Sequence, residues 1–193
     1  EGLKDSTSIV FSIIAVNDAP EFTAELPTLS FLEDDSLTYD SKNWFAYAND
    51  TDHPDSALFF SVLLSRYLEV KPVGDAVRFL APVNWSGRDT LELEVSDGEL
   101  SDTSFFFIDV KPVNDAPVFV NFPDSVFFYH DTSLTMVMGD LVEDVDSPMS
   151  SMTWDFSFTS DSIEYVFNKE TTELILTAPG FSGFAFMTCK VTD

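Results

Sequence analysis

The sequence predicts an all-β chain of tandem two-sheet sandwiches. Three observations carry this: apolar and polar residues alternate strictly, no 3.6-residue period is sustained, and a set of motifs returns after 96 or 97 residues.

The alternation is clearest in Thr90-Leu91-Glu92-Leu93-Glu94-Val95. Because successive side chains on a strand point to opposite faces, Leu91, Leu93 and Val95 are expected inward and the two glutamates in water. The matching face of the second copy is Met187, Cys189 and Val191. Ser104-Phe105-Phe106-Phe107-Ile108-Asp109-Val110 and Ile9-Val10-Phe11-Ser12-Ile13-Ile14 are rich in β-branched and aromatic residues, with no Gly or Pro inside. Clusters of Asp, Ser, Gly and Pro interrupt the apolar runs about every ten residues, and no segment has helical spacing with caps. About seven short strands per period predict immunoglobulin-like Greek-key β-sandwiches.

The repeat is carried by separated matches in one register. Val16-Asn17-Asp18-Ala19-Pro20 returns as Val113-Asn114-Asp115-Ala116-Pro117, 97 residues on, and Val95-Ser96-Asp97 returns as Val191-Thr192-Asp193, 96 residues on. Between them Phe79-Leu80-Ala81-Pro82 matches Leu176-Thr177-Ala178-Pro179, and Trp85-Ser86-Gly87 matches Phe181-Ser182-Gly183. Gly2 to Asn17 resembles Gly98 to Asn114. Residues 1–16 are therefore expected to be the last strand of a preceding repeat or a donated strand, 17–112 a complete repeat, and 113–193 a second repeat lacking its last strand. Either the chain belongs to a longer array, or the opening strand of one copy completes the sandwich of another and yields a homo-oligomer by strand donation.

With 45% hydrophobic residues and 20 Phe among 193 residues, the chain has apolar surface for two cores. Its 34 acidic against 9 basic residues give a formal net charge of −25. Such a field repels phosphate backbones and anionic headgroups, which excludes nucleic acid and membrane surfaces as partners. It favours hard divalent cations, whose preferred ligands are carboxylate oxygens, and is also compatible with a surface adapted to salt or solubility. The lone Cys189 permits no intrachain disulfide or Cys/His zinc spacing and is expected in the core. No apolar run has the length of a membrane span, so no membrane insertion is expected in this stretch; its first residues are not a signal peptide, and any targeting segment is expected outside it.

Asn-Asp-Ala-Pro at each junction, the acidic pair Glu33-Asp34, Asp50-Thr51-Asp52, and Val95-Ser96-Asp97-Gly98 before a final strand resemble the cadherin-like tandem repeats of large bacterial surface proteins, and more distantly the animal cadherin repeat. The resemblance implies an extracellular or cell-surface setting, with Ca2+ between successive sandwiches held by the linker and by acidic loops of both neighbours. For the junction at residues 16–20 the implied ligands are Asn17, Asp18, Asp50, Asp52 and Asp97. For the junction at 113–117 they are Glu33, Asp34 and Asp89 from one side, Asn114 and Asp115 in the linker, and Asp144, Asp146 and Asp193 from the other. Without metal these carboxylates repel one another, so a calcium-dependent hinge is expected. His130 and Ala185 stand where Glu33 and Asp89 stand, so a third junction is expected to bind calcium weakly or not at all.

Asp and Asn are also the commonest turn residues, so each of these positions is open to a turn-bonding role. His53 and His130 belong to no His-Glu-x-x-His or nucleophile-elbow motif and are expected as loop or strand-end residues, and the chain is expected not to be an enzyme. Asn49-Asp50-Thr51 and Asn84-Trp85-Ser86 fit the glycosylation sequon. Trp85 and Phe181 are expected as core plugs. Taken together, the sequence implies an extracellular spacer whose partners are neighbouring repeats of the same protein. The alternatives are a filament or surface-layer subunit assembled by strand donation, or a module gripping a glycan or protein receptor through Trp44, Tyr47, Trp85 and Trp154.

Overall fold

The computed structural model describes residues 2–193. The chain divides into two compact units, with the boundary between Pro112 and Val113. The first contains β1 (Glu21–Phe22), β2 (Leu29–Leu32), β3 (Ser36–Asp40), β4 (Ala48–Asn49), β5 (Phe59–Leu64), β6 (Glu69–Val73), β7 (Ala76–Leu80), β8 (Gly87–Ser96) and β9 (Ser101–Lys111). One sheet runs β2-β9-β8-β5, with β2 parallel to β9; the other runs β3-β7-β6, and β1 pairs with β4.

The alternating pattern of β8 is realised: Leu91, Leu93 and Val95 are fully buried. β9 lies antiparallel beside it, with Leu91 opposite Phe106 and Asp89 opposite Ile108, and buries Phe106, Ile108 and Val110. Phe105 and Phe107 point the other way and stay exposed. Burial of each such side chain stabilises by roughly 1.5–3 kcal/mol. The facing sheet supplies Val77 and Phe79 to the same cluster, which makes a sandwich.

Trp44 closes this core. It sits on a short 3-10 helix, Ser41–Tyr47, started by the Asp40 carboxylate, which accepts the Lys42 backbone N–H. The helix turns the indole inward, where its ring centroid lies 5.3 Å from Tyr39, 5.8 Å from Phe60 and 6.0 Å from Phe106. The expectation that Trp44 lies on an exposed aromatic face is corrected accordingly: Trp44 is fully buried, while Tyr47, Trp85 and Trp154 are half-buried. Large aromatic area gains more by filling a core than by facing water. Trp85 stacks on Tyr67 at 5.0 Å and lies so close to Gly87 (φ +151°) that a Cβ there would meet the indole at 3.2 Å. Phe181 and Gly183 (φ +155°) repeat the arrangement at 3.3 Å.

The second unit contains β10 (Val118–Phe119), β11 (Ser133–Val137), β12 (Val142–Glu143), β13 (Thr153–Phe158), β14 (Glu164–Asn168), β15 (Glu173–Thr177) and β16 (Met187–Thr192). Its pairings β10-β12, β11-β15-β14 and β13-β16 repeat those of the first unit, but among the described residues it has no counterpart of β2 or β9. Met138, Phe156, Leu174 and Leu176 form its core. Met187, Cys189 and Val191 are only half-buried, because nothing takes the place that β9 fills beside β8. Burial still raises the Cys189 thiol to about 11, helped by the nearby Asp155 carboxylate.

Residues 2–16 form no strand, and Ile9 to Ile14 carry exposed apolar side chains, Ile13 at 94%. The composition is that of a strand, but ladder hydrogen bonds need a neighbour, and this segment has none.

Candidate metal centres

In the first unit an acidic cluster is assembled from the linker, the loop after β4 and the turn after β8. Pro20, fully buried, anchors the linker just ahead of β1. Two hydrogen bonds then tie the linker down: the Asn17 side-chain amide donates to Asp97 Oδ2 at 2.8 Å, and the Asp18 backbone N–H donates to Asp52 Oδ2 at 2.8 Å.

The loop Asp50-Thr51-Asp52-His53 folds around one carboxylate. Asp50 Oδ1 accepts the backbone N–H of Asp52 and of His53, each at 2.7 Å, an Asx-type turn. Asp97 Oδ1 likewise accepts the N–H of Glu99 and of Leu100, each at 2.7 Å. The Leu100 and Glu99 amides, followed by Asn17, hold the Asp97 carboxyl down at about 2.

The second unit builds the same cluster. Asn114 donates to Asp193 Oδ2, the Asp115 N–H donates to Asp146 Oδ2 at 2.7 Å, and Asp144 Oδ1 accepts the N–H of Asp146 at 2.9 Å and of Ser147 at 2.6 Å. In each unit two segments about half a repeat apart thus converge on the linker.

In both clusters one oxygen is left over. Asp50 Oδ2 and Asp144 Oδ2 are buried and have no hydrogen-bond partner. A buried polar atom without a partner costs about 1–3 kcal/mol, more when charged. Among the described residues no Lys or Arg bridges to Asp50, Asp52, Asp144 or Asp146. The donor set is carboxylate and amide oxygen, which suits a hard divalent cation such as Ca2+.

The remaining expected ligands have other work in the first unit. Asp89, buried at 1% exposure, braces the loop after β5: Oδ2 accepts from the Ser65 hydroxyl at 2.7 Å and from the N–H of Tyr67 and Leu68, while Oδ1 accepts from Thr90 and Arg66. Burial pushes its carboxyl up, but the Tyr67, Ser65, Leu68 and Thr90 donors outweigh it and leave it below the usual value. Asp34 adopts a left-handed φ of 59° and accepts the Asn84 N–H at 3.1 Å. Asp131 repeats this at φ 60° with Gly180 at 3.0 Å, and its own carboxyl is lowered by that N–H and by His130. Glu33 is buried, and its backbone N–H donates to the Lys111 carbonyl.

One residue that sequence reasoning set aside enters the first cluster. Asp50, His53 and Asp97 each place a ligand atom within 4.8 Å of the others, and His53 Nδ1 lies 3.3 Å from Asp50 Oδ1. The signal available in the sequence was an imidazole at the third position after the first Asp of an Asp-x-Asp loop.

No family model matches the chain, and no curated protein matches it in sequence. Among solved structures, human protocadherin-24 EC1-2 superposes with a TM-score of 0.52 at 16% identity, covering 89% of this chain and 86% of that one. PcdhgB3 EC1-4 superposes at 0.53 and 12% identity, over 90% of this chain and 48% of that one. An endo-fucoidan hydrolase of glycoside hydrolase family 107 aligns at 0.40 and 16% identity; this chain spans 28% of its length, and the likeness carries no argument about activity. The fold is therefore that of cadherin-like tandem β-sandwiches. No helix among the described residues is long and apolar enough to cross a membrane.

Proposed function

We propose that the chain is a non-enzymatic, extracellular spacer of an adhesion-type surface protein, in which each unit binds Ca2+ at its linker-side cluster. The observation that carries this reading is the duplicated arrangement of linker Asn-Asp, Asp-x-Asp loop and strand-end Asp, each copy holding one buried carboxylate oxygen with no protein partner. Asn17, Asp18, Asp50, Asp52 and Asp97 would hold the ion in the first unit, and Asn114, Asp115, Asp144, Asp146 and Asp193 in the second. The bound ion supplies positive charge that offsets carboxylate repulsion. The chain's own residues do the positioning: Asp52 and Asp146 fix the linker backbone, and Asp50 and Asp144 fold their loops.

In this reading calcium bound at each cluster stiffens the linker. Small-angle scattering with calcium and with chelator tests the stiffening: a longer maximum dimension with calcium supports it, and identical profiles refute it.

A second reading, strand donation into a filament or surface layer, is favoured by a separate observation. The second unit has a cavity of about 730 Å3 lined by Phe122, Phe128, Phe158, Leu176 and Phe186. Phe127 and Phe184 stand exposed beside it, and residues 2–16, which match β9 in sequence, are unpaired. Light scattering after size exclusion decides it: oligomers abolished by deleting residues 2–16 support donation, and a monodisperse monomer refutes it.

A further inference from the structure

The loops of the two clusters differ at two positions, Thr51 against Val145 and His53 against Ser147, and only the second adds a nitrogen ligand atom. The first-unit loop runs Asp50-Thr51-Asp52-His53-Pro54 and the second Asp144-Val145-Asp146-Ser147-Pro148. Ser147 donates its backbone N–H to Asp144 Oδ1 as His53 does to Asp50 Oδ1, and a proline follows in both. Serine therefore makes the same turn, and the turn does not require the imidazole.

The imidazole is nonetheless held against the cluster. The Asp50 side chain is fully buried with Oδ2 unpartnered, and His53 Nδ1 is a buried ring nitrogen that makes no hydrogen bond. The 3.3 Å between Nδ1 and Asp50 Oδ1 is close to the spacing of two ligands about 2.1 Å from one ion at a tetrahedral or octahedral angle. Pro54 restricts the backbone of His53 to extended conformations, which limits how far the ring can swing away.

Calcium takes oxygen ligands, whereas neutral imidazole suits borderline metals such as Zn2+, Co2+, Ni2+ and Cu2+. We infer that the first-unit cluster is a mixed nitrogen–oxygen site, in which Asp50, His53 and Asp97 also hold a borderline divalent transition metal in place of calcium, while the second-unit cluster takes hard cations alone. This rests on reading both clusters as calcium sites and goes beyond it in giving the first a second class of metal that the other does not take.

The test titrates the whole chain with Co2+, read by its visible absorption, and with Ca2+, read by calorimetry, in wild type and His53→Ser. The substitution copies the second unit and is expected to fold. Expected are one Co2+ site, at least tenfold weaker in His53→Ser, and unchanged Ca2+ binding at the second unit. Equal Co2+ affinity in the two proteins overturns the inference. Calcium binding without any cobalt binding overturns it while leaving the calcium reading intact; binding of neither ion overturns both. A Zn2+ titration of the wild-type imidazole 1H–15N signals is independent of the variant. A shift of the His53 ring nitrogens supports the site, and a shift confined to His130, paired with Asp131 at 2.7 Å, overturns it.

Discussion

The side-chain amide of Asn17 donates to the carboxylate of Asp97 at 2.8 Å, joining the linker to a residue 80 positions further along the chain. Asn114 and Asp193 make the same bond, so the linker is bound just past the end of β8 in the first unit and of β16 in the second. In the proposed reading, charge and position at this point govern both metal binding and the behaviour of the linker.

Asp97 gives the acid dependence its sign. Its carboxyl is held at about 2 in the folded chain, below the ordinary value of 3.8, so it contributes stability above the unfolded pKa, and that contribution is lost as pH falls from about 4 toward 2. Urea unfolding of the first unit between pH 5 and 2.5 should show a shallower acid decline in Asp97→Asn than in wild type. Identical slopes would contradict this assignment.

Asp144 should separate metal binding from folding. Asp144→Asn keeps an oxygen for the Asp146 and Ser147 amides but removes a charge from the cluster. Without metal, stability of the second unit is expected to change little or to rise as repulsion falls. With calcium, the thermal shift of that unit should be lost and its affinity should drop at least tenfold, as scanning calorimetry would show.

Asp89 is expected to act through its loop. Asp89→Ala leaves the amides of Tyr67 and Leu68 and the Ser65 hydroxyl without their acceptor, at a cost of about 1–3 kcal/mol. Equal destabilisation with calcium and with chelator supports the bracing role. A loss that appears only with calcium would make Asp89 a ligand.

Trp44→Ala should cost about 3–5 kcal/mol in the first unit, because nothing nearby can fill the space among Tyr39, Phe60 and Phe106. Denaturant unfolding should shift the first unit's transition and leave the second's in place.

Cys189 should react slowly. Its thiol is raised to about 11, so little thiolate exists at pH 8. Iodoacetamide labelling of the native chain should lag far behind labelling in urea, and equal rates would contradict the packing of this strand face.

The fold was legible where local pattern and tertiary packing agree. The alternation in β8 placed Leu91, Leu93 and Val95 correctly because one face of that strand is wholly covered. The inward turn of Trp44 was not legible, because a seven-residue 3-10 helix leaves no periodic signature and its direction is set by the cap at Asp40. The Asp-x-Asp loops and linker motifs stood out, since a metal-like cluster repeated in register survives sequence drift around it. Whether a given Asp braces a turn or faces an ion depends on which amides reach it, as Asp89 shows, and composition does not encode that. His53 was missed for the same reason: its approach to Asp97 is made by folding, across 44 residues of sequence.

The central claim is that two corresponding clusters of linker and loop carboxylates bind calcium. A calcium titration followed by backbone 1H–15N correlation spectra tests it residue by residue. The account predicts saturable shifts at Asn17, Asp18, Asp50 to His53 and Asp97, and at Asn114, Asp115, Asp144 to Ser147 and Asp193, with affinities around 10⁻⁴–10⁻³ M, as in extracellular modules. Spectra unchanged at these positions through 10⁻² M calcium, on the order of ten times the weaker limit, would contradict it.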